Sequence, residues 1–302
     1  MNPLISVIIP TYNHVHFLAK ALRSVIDQTY PCWEAVVVDN HSQDNTDELI
    51  KDLNEPRIRL LKIHNNGVIA ASRNLGIRDA KGEWIGFLDS DDCWYPNKLE
   101  AVMSVVKSNH HYDVISNDEY VVDIKTGAKK ILRYGPYQED FYEALLVEGN
   151  RLSTSATVVW REFLMQNDLL FSESPKYITV EDYGLWLDLA RAGARFEFIR
   201  EVLGEYVIHG SNSSAQLTRH RENIESLLHH HVFNIQKFNS SPDKLWKQVY
   251  PRVGLGQASQ YSAQGKKGLS LKIGLEMLVK YPRGTVNFFL SRLLRHSKKS
   301  VI

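Results

Sequence analysis

Cysteine is nearly absent from this sequence. Only Cys32 and Cys93 occur among 302 residues, too few for a disulfide framework or a thiolate zinc site, and a reducing compartment fits. An excess of one charge is missing as well. The formal net charge is +1, which argues against a nucleic acid as the main partner. No apolar run reaches the 18 residues or so of a membrane-spanning helix. The opening LISVIIP (4–10) has no basic segment before it and is too short for a signal peptide. It reads as a buried strand. The expected setting is cytoplasmic, free or held peripherally at the inner face of a membrane. No internal repeat or low-complexity tract breaks the chain.

Several phosphate-handling and hydrolytic motifs are also missing. There is no GxxxxGK[ST] loop and no GxGxxG after the first strand, which removes a P-loop NTPase and the usual dinucleotide fingerprint. No GxSxG elbow supports a serine hydrolase.

What is present is an ordinary globular composition, 43% hydrophobic and 24% charged, with a regular first half. Apolar runs at 5–10, 34–39, 58–63 and 84–89 predict strands. Helical spacing predicts helices over 15–28, 45–53 and 68–79, and Pro96 is placed to start another. Near-continuous apolar strands alternating with amphipathic helices predict an α/β fold on a mostly parallel sheet covered on both faces. In such sheets ligands bind beyond the carboxyl ends of the strands. That rule gathers PTYN (10–13), DNHSQDNT (39–46) and DSDD (89–92) on one rim. Further on, 113–123 and 154–160 read as sheet members, 180–193 as a helix, and 195–200 and 204–210 as two strands. Helices are predicted near 218–237, 243–263, 268–280 and 284–296.

The most informative stretch is WIGFLDSDDCWYP (84–96), an apolar run ending in Asp89, Ser90, Asp91 and Asp92. One Asp there would be a helix cap. Three carboxylates in four residues repel one another unless a cation compensates. Hard cations take oxygen ligands and share them with substrate phosphates, so the loop reads as an Mg²⁺ or Mn²⁺ site bridging to a diphosphate. Glu181 and Asp182 open a predicted helix, where acids complement the helix dipole. The consecutive His229, His230 and His231 point in different directions on a helix and read as surface residues. The tail from Lys266 to Lys299 carries nine Lys/Arg against one acid, Glu276. It reads as a packed helix, with an interfacial helix near anionic lipid as the alternative.

ISVIIPTYN, VVVDNHSQDNT, NNGVIAASRNLGIRDAKGEWIGFLDSDD and VEDYGLWLDLARAG, in that order and at that spacing, resemble the successive motifs of family 2 inverting glycosyltransferases over about residues 4–210. The resemblance implies a GT-A fold, a nucleotide-diphospho-sugar donor (a UDP-sugar as the leading class), a saccharide or lipid-linked saccharide acceptor, and a divalent metal. It implies a GT-A domain over 1–215, with a nucleotide-sugar half to about 112 and an acceptor half to 215, and a helical region over 216–302. Carried over, Pro10, Thr11, Tyr12, Asp39, Arg73, Asp89 and Ser90 match nucleotide-binding positions. Asp91 and His209 match metal positions, and Asp92 and Trp94 lie where donor or acceptor would be touched. Asp182 matches the base that deprotonates the acceptor hydroxyl, with Glu181 orienting the acceptor. Ser211–Ser214 would form a loop that orders over donor. Bacterial cell-surface polysaccharide assembly is the implied setting. A catalytically silent nucleotide-sugar binding module and a metal-dependent phosphohydrolase are the two rival readings.

Overall fold

The computed structural model describes residues 2–108, 110–209 and 217–297. The chain divides into two compact units, Met1–Glu139 with Arg151–Ala215, and Asp140–Asn150 with Gln216–Ile302. Residues 140–150, within the N-terminal span of the sequence reading, thus group with the C-terminal helices.

The first unit begins with β1 (Ile5–Thr11), α1 (Val15–Ile26), β2 (Trp33–Asp39), α2 (Thr46–Leu53), β3 (Ile58–Lys62), α3 (Ile69–Asp79) and β4 (Trp84–Phe87). These four strands are parallel, in the order β3-β2-β1-β4. Every residue of β1, β2 and β4 is buried, because helices cover both faces and no alternation with polar residues is needed. Pairing of β1 with β4 stops at Ile8↔Phe87, and the Leu88 N–H donates to the Ile8 carbonyl at 3.1 Å. Pro10, two residues further, faces the same side beyond the end of β4. Its missing N–H therefore removes no ladder bond.

The rest of the sheet is mixed. β5 (Cys93–Trp94) and α4 (Lys98–Val106) are followed by β6 (Val114–Asp123) and β7 (Lys129–Leu132). After α5 (Phe141–Glu148), which belongs to the second unit, come β8 (Thr157–Trp160), α6 (Arg161–Gln166), α7 (Glu181–Arg191) and β9 (Phe196–Ile208). β8 runs antiparallel to β4 and β6, while β6 and β9 are parallel. β5 and β7 are short antiparallel additions. Four pairings are parallel and four antiparallel. The helix α3 lies against β1 and β2 closely enough that a Cβ on Gly76 would come within 2.5 Å of Ile8 Cγ2. Phe87, Phe171 and Trp186 meet edge-on or tilted, with centroids 5.1–6.2 Å apart, and fix α7 to the sheet.

Three local expectations change. β4 ends at Phe87, so Leu88 and Asp89 begin the acidic loop rather than finish the strand. Residues 196–208 form one strand instead of two, with register shifts in its pairing with β6 around Asn117 and Asp118 absorbing the irregularity. Pro96 stands before the N-cap Asn97 of α4, because a turn closed by the Lys98 N–H on the Tyr95 carbonyl precedes that helix.

The second unit contains α5, α8 (Leu217–His230), a π-helical turn (His231–Ile235), α9 (Pro242–Ala263), α10 (Lys267–Lys280) and α11 (Pro282–Ser297). The π turn ends the helix predicted to reach 237. Ser241 caps α9 by accepting from the Lys244 N–H, with Pro242 at the first helical position. α10 packs on α9 through Met277, whose Sδ would lie 2.5 Å from a Cβ placed on Gly254. His231 is buried, with Nδ1 3.0 Å from the Tyr142 hydroxyl. It is therefore a core residue, unlike the exposed His229 and His230, because the helix face that carries it turns inward.

Candidate active site at the strand ends

The three carboxylates of the 89–92 loop have different side-chain partners. The backbone N–H of Asp89 donates to the Ser155 hydroxyl at 3.1 Å, and its carboxylate takes a 2.6 Å hydrogen bond from Arg73. Asp91 meets His209, Oδ2 to Nε2, at 2.8 Å. Asp92 turns inward. It accepts from the Val207 N–H of β9 at 2.8 Å and from the Ser155 hydroxyl. Burial, followed by the charges of Asp91, Glu119 and Asp89, pushes the Asp92 carboxyl well above the usual carboxylate range. Burial and Asp89 also raise Asp91, while His209 pulls it back.

Behind the loop lies a lysine that the sequence reading missed. Lys98 is fully buried, 2.6 Å from Asn117 Oδ1 and 3.0 Å from the Ser155 carbonyl. Burial drives its pKa down to about 7, against the opposing pull of Glu119 and Asp92. It gives the buried acids a positive neighbour. Nothing in its sequence context, PNKLEAV, separates it from a surface lysine. Trp94, expected near donor or acceptor, is buried, donates Nε1–H to the Ser155 carbonyl at 2.7 Å, and faces the Lys98 ammonium. Trp94 and Asp92 thus hold the loop to the sheet.

Arg73 on α3 joins the loop to the second acidic pair. Its guanidinium is buried, reaching Asp89 at 2.6 Å and Glu181 at 2.8 Å, and lies over Phe171. Burial opposes its charge, but Asp89, Glu181 and Asp182 outweigh burial and raise its pKa. Two of its nitrogens are thus engaged by carboxylates, while its Nε is buried without a hydrogen-bond partner among the described residues. Arg73 acts as a clamp between the 89–92 loop and the first turn of α7.

Glu181 and Asp182 occupy that turn. Glu181 is buried, and its Oε2 has no hydrogen-bond partner among the described residues. Asp182 is only partly buried. Burial, and then the Glu181 charge, push its pKa up to about 7. It is the more accessible acid of the pair and is poised to exchange a proton near neutrality.

At the end of β2, Asp39 is buried and held by two side chains. Its Oδ1 accepts from the Ser42 hydroxyl at 2.5 Å, and its Oδ2 from Lys62 at 2.7 Å. Lys62 also reaches Asp47. His41, at a positive φ of 54°, stacks on His64 at 3.8 Å. Thr11 is buried with its hydroxyl unpartnered among the described residues, whereas Tyr12 is 52% exposed. Ser90 Oγ lies 3.5 Å from His14 Nδ1. His14 in turn packs edge-on to His209, which stacks on Phe17 at 4.7 Å. The expected loop at Ser211–Ser214 lies outside the described residues.

The fit to a divalent cation rests on Asp91 and His209. No group of three or more His, Cys, Asp or Glu side chains converges among the described residues. One carboxylate and one imidazole do meet, 2.8 Å apart. A hard or borderline cation held by two protein ligands, with phosphate oxygens and water filling the remainder, suits that pair.

The sequence family described as Glycosyl transferase family 2 matches residues 6–162, over half of the chain. Among the relatives, UDP-Glc:alpha-D-GlcNAc-diphosphoundecaprenol beta-1,3-glucosyltransferase WfgD of Escherichia coli is 31% identical, over 62% of this chain and 70% of its own. The putative teichuronic acid biosynthesis glycosyltransferase TuaG of Bacillus subtilis is 29% identical, over 70% of this chain and 82% of its own. The fold is similar to that of S. aureus TarS 1-349 in complex with UDP-GlcNAc, with TM-score 0.64, 22% identity, and coverage of 94% of this chain and 80% of that one. A longer TarS chain is matched over 43% of its length and 82% of this one, with TM-score 0.61 and 20% identity. Mannosyltransferase PcManGT from Pyrobaculum calidifontis, in complex with GDP-Man and Mn2+, matches with TM-score 0.59 at 18% identity, over 99% of this chain and 87% of its own. With an α/β sheet of this order, two acidic centres on its rim and these matches, the chain belongs to glycosyl transferase family 2 and is a transferase.

Proposed function

We propose that the chain moves a sugar from a UDP-sugar to a hydroxyl of a lipid-linked saccharide, with inversion, by direct displacement. The observation that carries this is Asp182, a partly open carboxyl pushed up to about 7 and tied through Glu181 and Arg73 to Asp89 of the opposite acidic loop. Direct displacement needs one base on the acceptor and a separate charge-stabilising centre at the departing diphosphate. Asp182 takes the proton from the acceptor hydroxyl, and Glu181 sets the direction of that hydroxyl. Asp91 and His209 would hold Mn²⁺ or Mg²⁺, which when bound supplies Lewis-acid stabilisation of the diphosphate. Thr11, Tyr12 and the Asp39–Lys62 pair receive the nucleoside, with Ser90 beside it. Pro10 shapes that strand end.

The donor class is supported by the UDP-Glc in the name of the E. coli relative and by the UDP and UDP-GlcNAc complexes of TarS. The acceptor class is supported by the diphosphoundecaprenol in that relative's name. Two relatives whose names read putative teichuronic acid and putative colanic acid biosynthesis glycosyltransferase support a role in cell-envelope polysaccharide synthesis.

The test is Asp182→Asn, assayed with UDP-sugars and a lipid-linked saccharide. Turnover is expected to fall by about 10²–10⁴-fold, with Mn²⁺-dependent binding of UDP-sugar retained. Unchanged turnover would remove Asp182 as the base.

A further inference from the structure

The helix α10 has two apolar faces. Ser270, Ile273, Gly274 and Met277 are its less exposed positions, at the spacing of one face, and Met277 is the residue that meets α9. On the other side Leu271, Leu275, Leu278 and Val279 are 65, 53, 48 and 80% exposed. Spacings of four, three and one place these four on a single stripe of the helix. The next helix, α11, repeats the pattern, with Val286, Phe289 and Leu290 exposed, again at three- and four-residue spacing. An amphipathic surface helix normally shows water its polar face, so neither stripe is explained by packing within the unit. Contiguous exposed apolar surface of this kind marks an interaction site.

We propose that the outward stripes of α10 and α11 form one docking surface for an anionic lipid bilayer, lying in the plane of its interface. Charge selects this occupant. Nine Lys/Arg stand between Lys266 and Lys299 against the single acid Glu276, and Glu276 is already paired with Lys280 at 2.7 Å. A second copy would bring the same positive rim against this one, whereas anionic headgroups neutralise it. No described helix is long and apolar enough to cross a membrane, so the stripes lie on the bilayer and do not span it. The inference does not depend on the sugar-transfer chemistry.

The full chain is sedimented with vesicles of phosphatidylcholine, with and without phosphatidylglycerol. The protein is expected to pellet with the anionic vesicles and to be released by high salt. The triple variant Leu271→Ser, Leu275→Ser, Val279→Ser removes exposed groups and is expected to keep the wild-type melting temperature while losing about tenfold or more in vesicle affinity. The single variant Val279→Glu is expected to weaken binding in the same direction. The proposal is overturned if the wild type stays in the supernatant with anionic vesicles, or if the triple variant binds as tightly as the wild type. It is equally overturned if light scattering shows a dimer that the triple variant splits while vesicle affinity is unchanged, because the stripes are then a self-interface.

Discussion

In the proposed role of base, Asp182 must be ionised to accept the acceptor's proton, and burial and the Glu181 charge push its pKa up to about 7. Transfer rate should therefore rise with pH through about 7 and level off above it, and in Asp182→Glu the inflection should move. The same shift sets a stability dependence of opposite sign. The native state holds this proton more tightly than the unfolded chain, so the contribution is complete below the ordinary carboxylate pKa and is lost as pH rises through about 7. Asp182→Asn is therefore expected to melt higher than wild type at pH 8, by about 2–4 °C for each kcal/mol recovered, with the gain vanishing near pH 4. Calorimetry at the two pH values checks it. Arg73 behaves differently. Arg73→Ala leaves Asp89 and Glu181 without their shared cation and should cost about 3–5 kcal/mol in a denaturant melt. Arg73→Lys, with a single ammonium for two carboxylates, should recover only part of that.

Among the elements, α3 is where packing and chemistry meet. It carries Arg73 on one turn and Gly76 on the next, and Gly76 lies against Ile8 of β1. In a solvent-facing helix, Gly→Ala would gain about 1 kcal/mol. Here the added methyl must displace a core side chain, so Gly76→Ala should instead destabilise by about 1–3 kcal/mol. It should also lower turnover by shifting Arg73, and activity measured beside a thermal melt separates the two effects. The elements that sequence revealed are those whose environment is uniform. β1 and β2 are buried on both faces, so unbroken apolar runs mark them. β9 is not uniform, since Arg200 and Glu201 interrupt it where its pairing with β6 slips, and it looked like two strands. β7, KKIL, has every residue exposed and does not alternate between apolar and polar residues. α5 and α6, of 8 and 6 residues, are too short for a helical period to stand out in sequence. The acidic loop and the Glu181-Asp182 pair were legible because charge at a buried strand end or helix start is costly without a purpose. Lys98, Ser155 and the inward turn of Asp92 were not, because they depend on contacts across 57–63 residues of chain.

For the molecule as a whole, ligand binding provides the broadest check. If Asp91 and His209 join a cation to the donor, UDP-sugar should raise the melting temperature with Mn²⁺ present and much less with chelator. The stabilisation should approach about 2.7 kcal/mol at a donor concentration one hundred times its Kd. Asp91→Ala should abolish the difference between the two conditions. Equal shifts with and without chelator would remove the cation from donor binding.

The Arg73 clamp carries a kinetic consequence. If the proposed roles hold, one guanidinium serves Asp89 on the donor side and Glu181 on the acceptor side, so a diphosphate arriving beside Asp89 would compete for the group that steadies Glu181. Whatever factor the donor imposes on acceptor affinity, the acceptor must impose on donor affinity. Order of addition is then written into a single side chain, and Arg73→Lys should change the product-inhibition pattern as well as the rate.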